Sequence, residues 1–386
     1  RVYQGRPGDD RFTSAAGQMH AYLKSLRPKL AFDPRMAPGD FPAWRQAVVE
    51  RLRQLLGLDE LTAPSPAAKR LSVERREGYR LEKWEAYCEP RGVVSFLSLV
   101  PEEASAQSPA PAVLCTPGTG TSKELLAGEP EPDGRPTRNK HPKENTMALH
   151  FVRKGFVAVA LDSFTWCGET VDPLHPDPKE LTIAGLWVGR PYEGLSVAYS
   201  QCVLGWLRGQ PEVDSRRIAT SGHSLGAKPA LHLALLEPSV AAVIWNDSCH
   251  RWQSAAVAIN LYAHHLCQYV PGMLAWFDYP DLMAAMAPRS LLISEGGRGE
   301  ALQHVRAAYE LLGAGDRFRV SHYPKYAAAD QRTLDNVPIP EGLNYDNEYL
   351  PYINCDAPGH YFKHQVAVPW LAQLLATPGA AAGNRD

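Results

Sequence analysis

The sequence predicts an α/β protein with a mostly parallel, twisted sheet and helices on both of its faces. Short and almost continuous apolar segments at 156–161, 240–245 and 290–293 alternate with helical patterns along the chain. Strands of this composition are typical of parallel sheets that are buried on both sides. A further apolar segment ends in Gly-His-Ser-Leu-Gly at 222–226, and a helical pattern follows at once, which indicates a strand, a tight turn and a helix.

Residues 1–70 are predicted to form a helical extension that packs on the core. Apolar residues repeat at helical spacing over 42–58, and Gly57 marks the predicted end of this helix. The chain of 386 residues is long enough for such an extension and one large domain.

Residues 71–386 are predicted to form the catalytic domain. It begins with strand patterns at 79–87 and 93–100 on either side of a Pro-Arg-Gly turn, which predicts an antiparallel hairpin. Three later segments do not fit the alternation of strands and helices. Each follows the carboxyl end of a predicted strand, where open α/β sheets bind ligands. We therefore interpret them as inserted cap segments that form pocket walls, at about 121–145, 164–192 and 248–287.

The composition excludes several kinds of partner. The formal net charge is −2 and no Lys/Arg-rich tract occurs, so neither nucleic acid nor an anionic membrane surface is an expected partner. No apolar stretch reaches membrane-spanning length. The seven cysteines are dispersed, and no His-Glu-x-x-His or phosphate- or dinucleotide-binding glycine motif occurs, so we expect no metal and no cofactor. We expect a soluble protein that is periplasmic, secreted or cytoplasmic, because the start at Arg1 is compatible with processing or trimming. The sequence does not determine the oligomeric state.

The predicted nucleophile is Ser224, at the centre of the Gly-x-Ser-x-Gly turn. A serine nucleophile needs a base, a group that orients the base, and N–H donors for the oxyanion. When such an elbow lies in an α/β sheet, the acid and then the histidine follow it along the chain. The best candidate for the base is His360, because it lies in a loop between the last predicted strand and the closing helix at 361–375.

The acid has three candidates. Glu295 directly follows the strand at 290–293 and is our first choice, because the end of a strand fixes its backbone best. Glu300, in the same loop, and Asp247, after the preceding strand, are the alternatives. For the oxyanion, we predict the backbone N–H groups of Leu225 and of Thr119, which lies in a glycine-rich loop after a short strand.

Together these residues resemble the α/β-hydrolase superfamily, and within it the dienelactone-hydrolase-like and acetyl-xylan-esterase-like group. The similarity extends over residues 70–375, and its more specific parts are Glu-Gly-Gly at 295–297, His-Tyr-Pro-Lys at 322–325 and Gly-His-Tyr-Phe-Lys at 359–363. The resemblance is to a bacterial branch described provisionally as acetyl xylan esterases. It implies an α/β-hydrolase fold and a carboxylic ester hydrolase that acts on carbohydrate.

The sequence departs from this group at two positions. Dienelactone hydrolases use a cysteine where this chain has Ser224, which argues against a dienelactone substrate. Related proteins also commonly have an aspartate at the fourth position of Gly-Gly-x-Asp, where this chain has Gly299. The resemblance therefore leaves the role of the acid to Glu295 or Glu300.

We expect hydrolysis through an acyl-serine of a small-molecule or oligosaccharide ester, either a small-acyl ester such as an acetate or a methyl ester of an acidic sugar. Trp166 and Trp245 are candidates for stacking on a sugar ring, and Arg190 and Arg251 for binding a substrate carboxylate. Each of these side chains could equally serve packing or ion pairing within the protein. A peptidase, an acyl-peptidase or a lactonase would use the same triad, and a non-catalytic binding protein on the same scaffold is a further alternative.

Overall fold

The computed structural model describes residues 14–60, 67–89, 92–131, 139–162, 178–259 and 266–376, apart from the side chains of Glu60, Glu89, Pro178, Lys179 and Asp346. The described residues contain a nine-stranded sheet with the order β1-β2-β3-β5-β4-β6-β7-β8-β9. The strands are β1 (Ala68–Arg76), β2 (Tyr79–Glu89), β3 (Gly92–Pro101), β4 (Ala110–Thr116), β5 (Val157–Leu161), β6 (Val213–His223), β7 (Val240–Asn246), β8 (Ser290–Ile293) and β9 (Phe318–Val320).

The sheet is mixed, and its larger part is parallel. β1, β2 and β3 pair antiparallel, and β3 pairs antiparallel with β5, whereas the strands from β5 to β9 along the sheet are parallel. The predicted α/β class and the mostly parallel sheet are therefore confirmed. The sequence analysis missed β1 because this edge strand is largely exposed and lacks a continuous apolar pattern.

Helices cover both faces of the sheet. They are α1 (Ala15–Ser25), α2 (Phe41–Leu55), α3 (Lys123–Ala127), α4 (Met147–Val152), α5 (Pro178–Trp187), α6 (Tyr192–Arg208), α7 (Ala227–Leu236), α8 (Trp252–Ala258), α9 (Tyr279–Ala285), α10 (Gly299–Leu311) and α11 (His364–Ala376). Buried side chains of α2, α6, α7, α9 and α10 pack in one core on one face. Those of α3, α4 and α11 pack in a second core on the other face. Among the described helices, none has the length and apolar character needed to cross a membrane.

The described part of the N-terminal extension packs on the rest of the chain. The N–H group of Leu30 donates to the carbonyl of Trp276 (2.7 Å), and that of Phe32 donates to Oδ1 of the buried Asp281 (2.9 Å). Phe32 and Trp44 lie in the larger core. The boundary at residue 70 stays a prediction.

Of the three predicted cap segments, the first contains α3, the second contains α5, and the third contains α8 and α9. Their parts at 132–138, 164–177 and 260–265 lie outside the described residues.

A long connection at 321–363 joins β9 to α11, and the buried Arg298 organises it. The guanidinium group of Arg298 donates to the carbonyl oxygens of Leu334 (3.2 Å), Val337 (2.8 Å) and Tyr352 (3.0 Å). Asn354 donates to the carbonyl of Gly297 (2.9 Å), next to this arginine. Through these hydrogen bonds, the buried Arg298 holds the connection against the end of the sheet.

We expect Arg298→Met to lower the free energy of unfolding by about 3 kcal/mol, because it leaves three carbonyl groups without their donor. Urea unfolding of the full chain measures this difference. The matched control is Arg319→Met, at an exposed position on β9, which should change stability by less than about 0.5 kcal/mol. Equal stability of the two variants would contradict the role assigned to Arg298.

Candidate active site

A strained turn carries Ser224 at the end of β6. Ser224 has φ of 54°, in the left-handed region, and it begins a single helical turn that leads into α7. A Cβ atom on Gly222 would overlap the carbonyl of Gly226, and one on Gly226 would overlap the carbonyl of Thr116. Glycine is therefore required on both sides of the serine, and the turn has the geometry of a nucleophile elbow.

His360 and Glu295 are in contact close to the carboxyl end of β8. Nδ1 of His360 lies 2.7 Å from Oε2 of Glu295, which follows β8 and has no exposed surface. Burial on its own would lower the pKa of His360, but the charge and the hydrogen bond of Glu295 outweigh burial and hold this pKa above its ordinary value. The structure thus brings the predicted base together with the first-choice acid.

Two buried asparagines fix the chain just after His360. Oδ1 of Asn246, at the end of β7, accepts the N–H of Lys363 (2.8 Å), and its Nδ2 donates to the carbonyl of Tyr361 (3.1 Å). Oδ1 of Asn145 accepts the N–H of Phe362 (2.8 Å). These contacts hold the chain in a non-helical path, so α11 begins at His364 and not at the predicted residue 361.

The other two carboxylates have different partners. Asp247 pairs with Lys228 and also accepts the N–H of Ser248 (2.8 Å). Burial would raise the pKa of Asp247, but the charges of Lys228 and His360 outweigh burial and lower it. The side chain of Glu300 is 53% exposed and pairs with Arg298 (3.3 Å), so the structure does not bring it to His360.

A side chain at Gly299 would contact Asp335. A Cβ atom at Gly299 would lie 2.9 Å from Oδ2 of Asp335, whose Oδ1 accepts the N–H of Gly299 (3.0 Å). The carboxylate of Asp335 thus occupies the direction in which a side chain at 299 would point.

Ser224 and His360 line the same cavity, which has a volume of about 370 Å³. Its other walls come from the first and third predicted cap segments, from residues 345–357, and from residues next to the ends of β4, β6 and β7. These walls include Asn139, Lys140, His141, Asp247, His250, Trp252, Gln268, Tyr345 and Leu350. The sequence analysis missed the contribution of 345–357, although a stretch of almost forty residues before His360 without a clear helix or strand pattern was a usable signal.

Both predicted oxyanion donors lie close to the nucleophile, one along the chain and the other in the wall of the same cavity. Leu225 directly follows Ser224 in the helical turn, and Thr119 lines the cavity. A Cβ atom on Gly118 would lie 3.5 Å from Cβ of Ser224, so this loop passes close to the serine. The donor roles of both N–H groups stay predictions.

The predicted substrate-binding residues do not line the cavity where the structure describes them. Trp245 is only 1% exposed and packs on Tyr279, because its side chain points into the core. Arg251 lies 3.4 Å from the ring of His304, and Arg190 is also not among the lining residues. The structure therefore does not bring these three side chains to the cavity, and their roles as substrate contacts stay predictions. Trp166 lies outside the described residues.

Sequence reasoning missed two further residues at the elbow. His223 is 7% exposed, and its ring centroid lies 4.7 Å from that of His360. Burial holds the pKa of His223 well below its ordinary value, so the ring is neutral. Lys228 donates to the carbonyl of Ser224 (3.0 Å) and to Asp247. Its position one helical turn after the serine was the available signal.

Comparison with known proteins identifies the family. The sequence model of the Abhydrolase family matches residues 1–373. The chain belongs to this α/β-hydrolase family. Among curated proteins, no significant match to the sequence is found.

Solved structures agree with the assignment of this chain to the α/β-hydrolase family. A provisional acetyl xylan esterase from Bacteroides fragilis is 35% identical, with a TM-score of 0.88, and the match covers 97% of this chain and 98% of that one. A methylesterase is 18% identical with a TM-score of 0.53, covering 84% and 68% of the two chains. A glucuronoyl esterase from Teredinibacter turnerae is 18% identical with a TM-score of 0.50, covering 81% and 88%. The last two similarities show the fold.

One group of side chains in the described part of the hydrolase has the spacing of metal ligands. Donor atoms of His223, Glu295 and His360 all lie within 4.8 Å of one another. The ammonium group of Lys363 lies 3.4 Å from Oε1 of Glu295, however, and His360 already binds Oε2. A second cation would face charge repulsion from Lys363, so we interpret this group as a hydrogen-bonded acid and base.

We expect Glu295→Gln to reduce turnover of a chromogenic acetate by on the order of a thousandfold, because the amide no longer stabilises a protonated His360. Glu300→Gln, at an exposed position, is the matched control and should stay close to the unsubstituted enzyme. Asp247→Asn should cause a smaller loss than Glu295→Gln, through the loss of its pairing with Lys228. A larger loss for either alternative would identify a different acid.

The pH dependence follows from the raised pKa of His360. His360 must be neutral to accept a proton, so kcat/KM should rise with pH and level off only above the ordinary histidine value of about 6.5. Rates measured between pH 5 and pH 9.5 test this. A flat profile, or a rise completed below pH 6, would contradict it.

Proposed function

We propose that this hydrolase is a serine esterase that cleaves small-acyl or methyl esters of carbohydrates through an acyl-serine intermediate. The observation that carries the proposal is the His360–Glu295 hydrogen bond beside an elbow whose serine faces the same cavity. The chain is related to carbohydrate esterases, and the proposed chemistry is carboxylic ester hydrolysis.

In the first half-reaction, Oγ of Ser224 attacks the ester carbonyl while Nε2 of His360 takes its proton. Nδ1 of His360 then donates to Glu295, whose negative charge stabilises the imidazolium. The N–H groups of Leu225 and Thr119 bind the oxyanion. Each such donor typically contributes about 3 kcal/mol to transition-state stabilisation.

His360 returns the proton to the leaving alcohol oxygen, and the carbon–oxygen bond of the ester breaks. In the second half-reaction, His360 takes a proton from water, which attacks the acyl-serine carbonyl. The intermediate then collapses, Ser224 regains a proton, and the carboxylic acid leaves. These steps need no redox change.

The side chains that line the cavity favour a polar substrate. Asn139, Lys140 and Gln268 offer donors, and Trp252 and Tyr345 offer aromatic surface beside them. A few polar groups among aromatic side chains are typical of sites that orient a small molecule. The resemblance to the provisional acetyl xylan esterase, over almost the whole of both chains, supports an acetylated sugar as the first substrate to test.

We expect Ser224→Ala to reduce hydrolysis of a chromogenic acetate by on the order of a millionfold, because the triad acts as a unit. It should also abolish labelling by a fluorophosphonate. The matched control is Ser215→Ala, at an exposed position near the other end of β6, which should keep both properties. Retained turnover in Ser224→Ala would overturn the mechanism. A panel of acetylated and methyl-esterified oligosaccharides, with amide and lactone substrates for comparison, tests the substrate class.

A further inference from the structure

We propose that Lys363 is a positioning residue of this site: its ammonium group compensates the buried charge of Glu295 and holds this carboxylate in place next to His360. The inference rests on the proposed function, because it assigns a role within the same triad. It also explains the lysine of the Gly-His-Tyr-Phe-Lys motif at 359–363, which the proposed mechanism does not use.

The two carboxylate oxygens of Glu295 have different surroundings. Oε2 accepts the hydrogen bond of His360 (2.7 Å), whereas Oε1 is buried and has no hydrogen-bond partner among the described residues. Nζ of Lys363 lies 3.4 Å from Oε1, as an ion pair, and the lysine side chain is 12% exposed. Lys363 is therefore the cation on the side of the carboxylate that His360 does not reach.

The ammonium group of Lys363 is itself held in place. It donates to the carbonyl of Gly359, the residue before His360, and lies 3.6 Å from the ring centre of Tyr361 and 4.8 Å from that of Tyr323. The backbone of Lys363 is bound to Asn246. A cation fixed at so many points connects the histidine loop with the carboxylate at the end of β8.

The physical need for this cation comes from burial. A carboxylate without solvent exposure favours its protonated form unless a positive charge compensates it. His360 has to be neutral before the reaction begins, so at that stage it supplies no charge. Lys363 supplies the charge throughout the cycle, which keeps Glu295 ready to stabilise the imidazolium.

Apart from Asp356, the other titratable groups discussed near the pair are neutral or already paired. Asp247 and Lys228 form an ion pair. Burial lowers the pKa of His223 and raises the pKa values of Tyr323 and Cys355, so these three side chains carry no charge at neutral pH. Asp356, the remaining acid close to Lys363, lies just before His360 in the same loop. Lys363 is thus the cation in direct contact with Glu295.

The test compares pH profiles of Lys363→Met, Lys363→Gln and Lys363→Arg. Without the cation, the negative charge of Glu295 is uncompensated and holds the proton of His360 more firmly, so the rise of kcat/KM should move to higher pH by about one unit. The two uncharged variants should then lose about tenfold in kcat/KM at pH 6 and much less at pH 9. Lys363→Arg should keep the original profile. Lys325→Met, which removes an exposed lysine that also lies over a tyrosine ring, is the matched control.

A double substitution separates the charge effect from a structural one. In the Glu295→Gln background, Lys363→Met should shift the profile by less than half as much, because the carboxylate that it compensates is gone. The NMR titration of His360, assigned by the signal lost in His360→Asn, should show the same upward shift and does not require turnover. Unchanged profiles and an unchanged titration in both uncharged variants would overturn the role of Lys363. Turnover that persists without Ser224 would instead overturn the proposed function, whatever the titration shows.

Discussion

The fully buried carboxylate of Glu295 is the constraint on which the arrangement of the site depends. A charge without solvent must be matched by groups of the protein, and here the partners come from a distant part of the chain. The loop with His360 and Lys363 has to lie against the end of β8, so it cannot continue α11 toward its N-terminus. Asn246 and Asn145 bind the backbone of that loop, and Arg298 holds the long connection before it. The carboxylate of Glu295, the two asparagines and Arg298 thus together hold the connection at 321–363 against the strand ends.

The elbow is constrained by close backbone contacts and by one ion pair. Gly222 and Gly226 allow three strand and turn segments to approach closely, and Ser224 takes a conformation that serine seldom adopts. Lys228 binds the carbonyl of Ser224 and the carboxylate of Asp247, and so connects this turn to the end of β7. The predicted nucleophile and the predicted base are therefore fixed by separate sets of contacts that meet at the cavity. Such independent support keeps reacting groups in register.

Local signals in the sequence were sufficient for the elbow, the parallel strands and the histidine loop, because each depends on residues close together in the chain. The choice of acid was left among three residues, since the partners of Asp247 and Glu300 are visible only in three dimensions. The position of Trp245 was also not visible in the sequence. Which face of β7 a tryptophan occupies depends on the register of the strand, and here that face is the core. The edge strand β1 and the cavity wall at 345–357 lack the periodic apolar pattern from which helices and strands are predicted.

Asp335 limits whether position 299 could supply the acid of this site in place of Glu295. Its carboxylate binds the N–H of Gly299 and also accepts a hydrogen bond from Asn354 (2.6 Å), so it belongs to the framework behind the cavity. A side chain at 299 would require Asp335 to leave these two hydrogen bonds, because its Cβ atom would lie 2.9 Å from Oδ2 of Asp335. Moving the acid from 295 to 299 would therefore require a second change at 335.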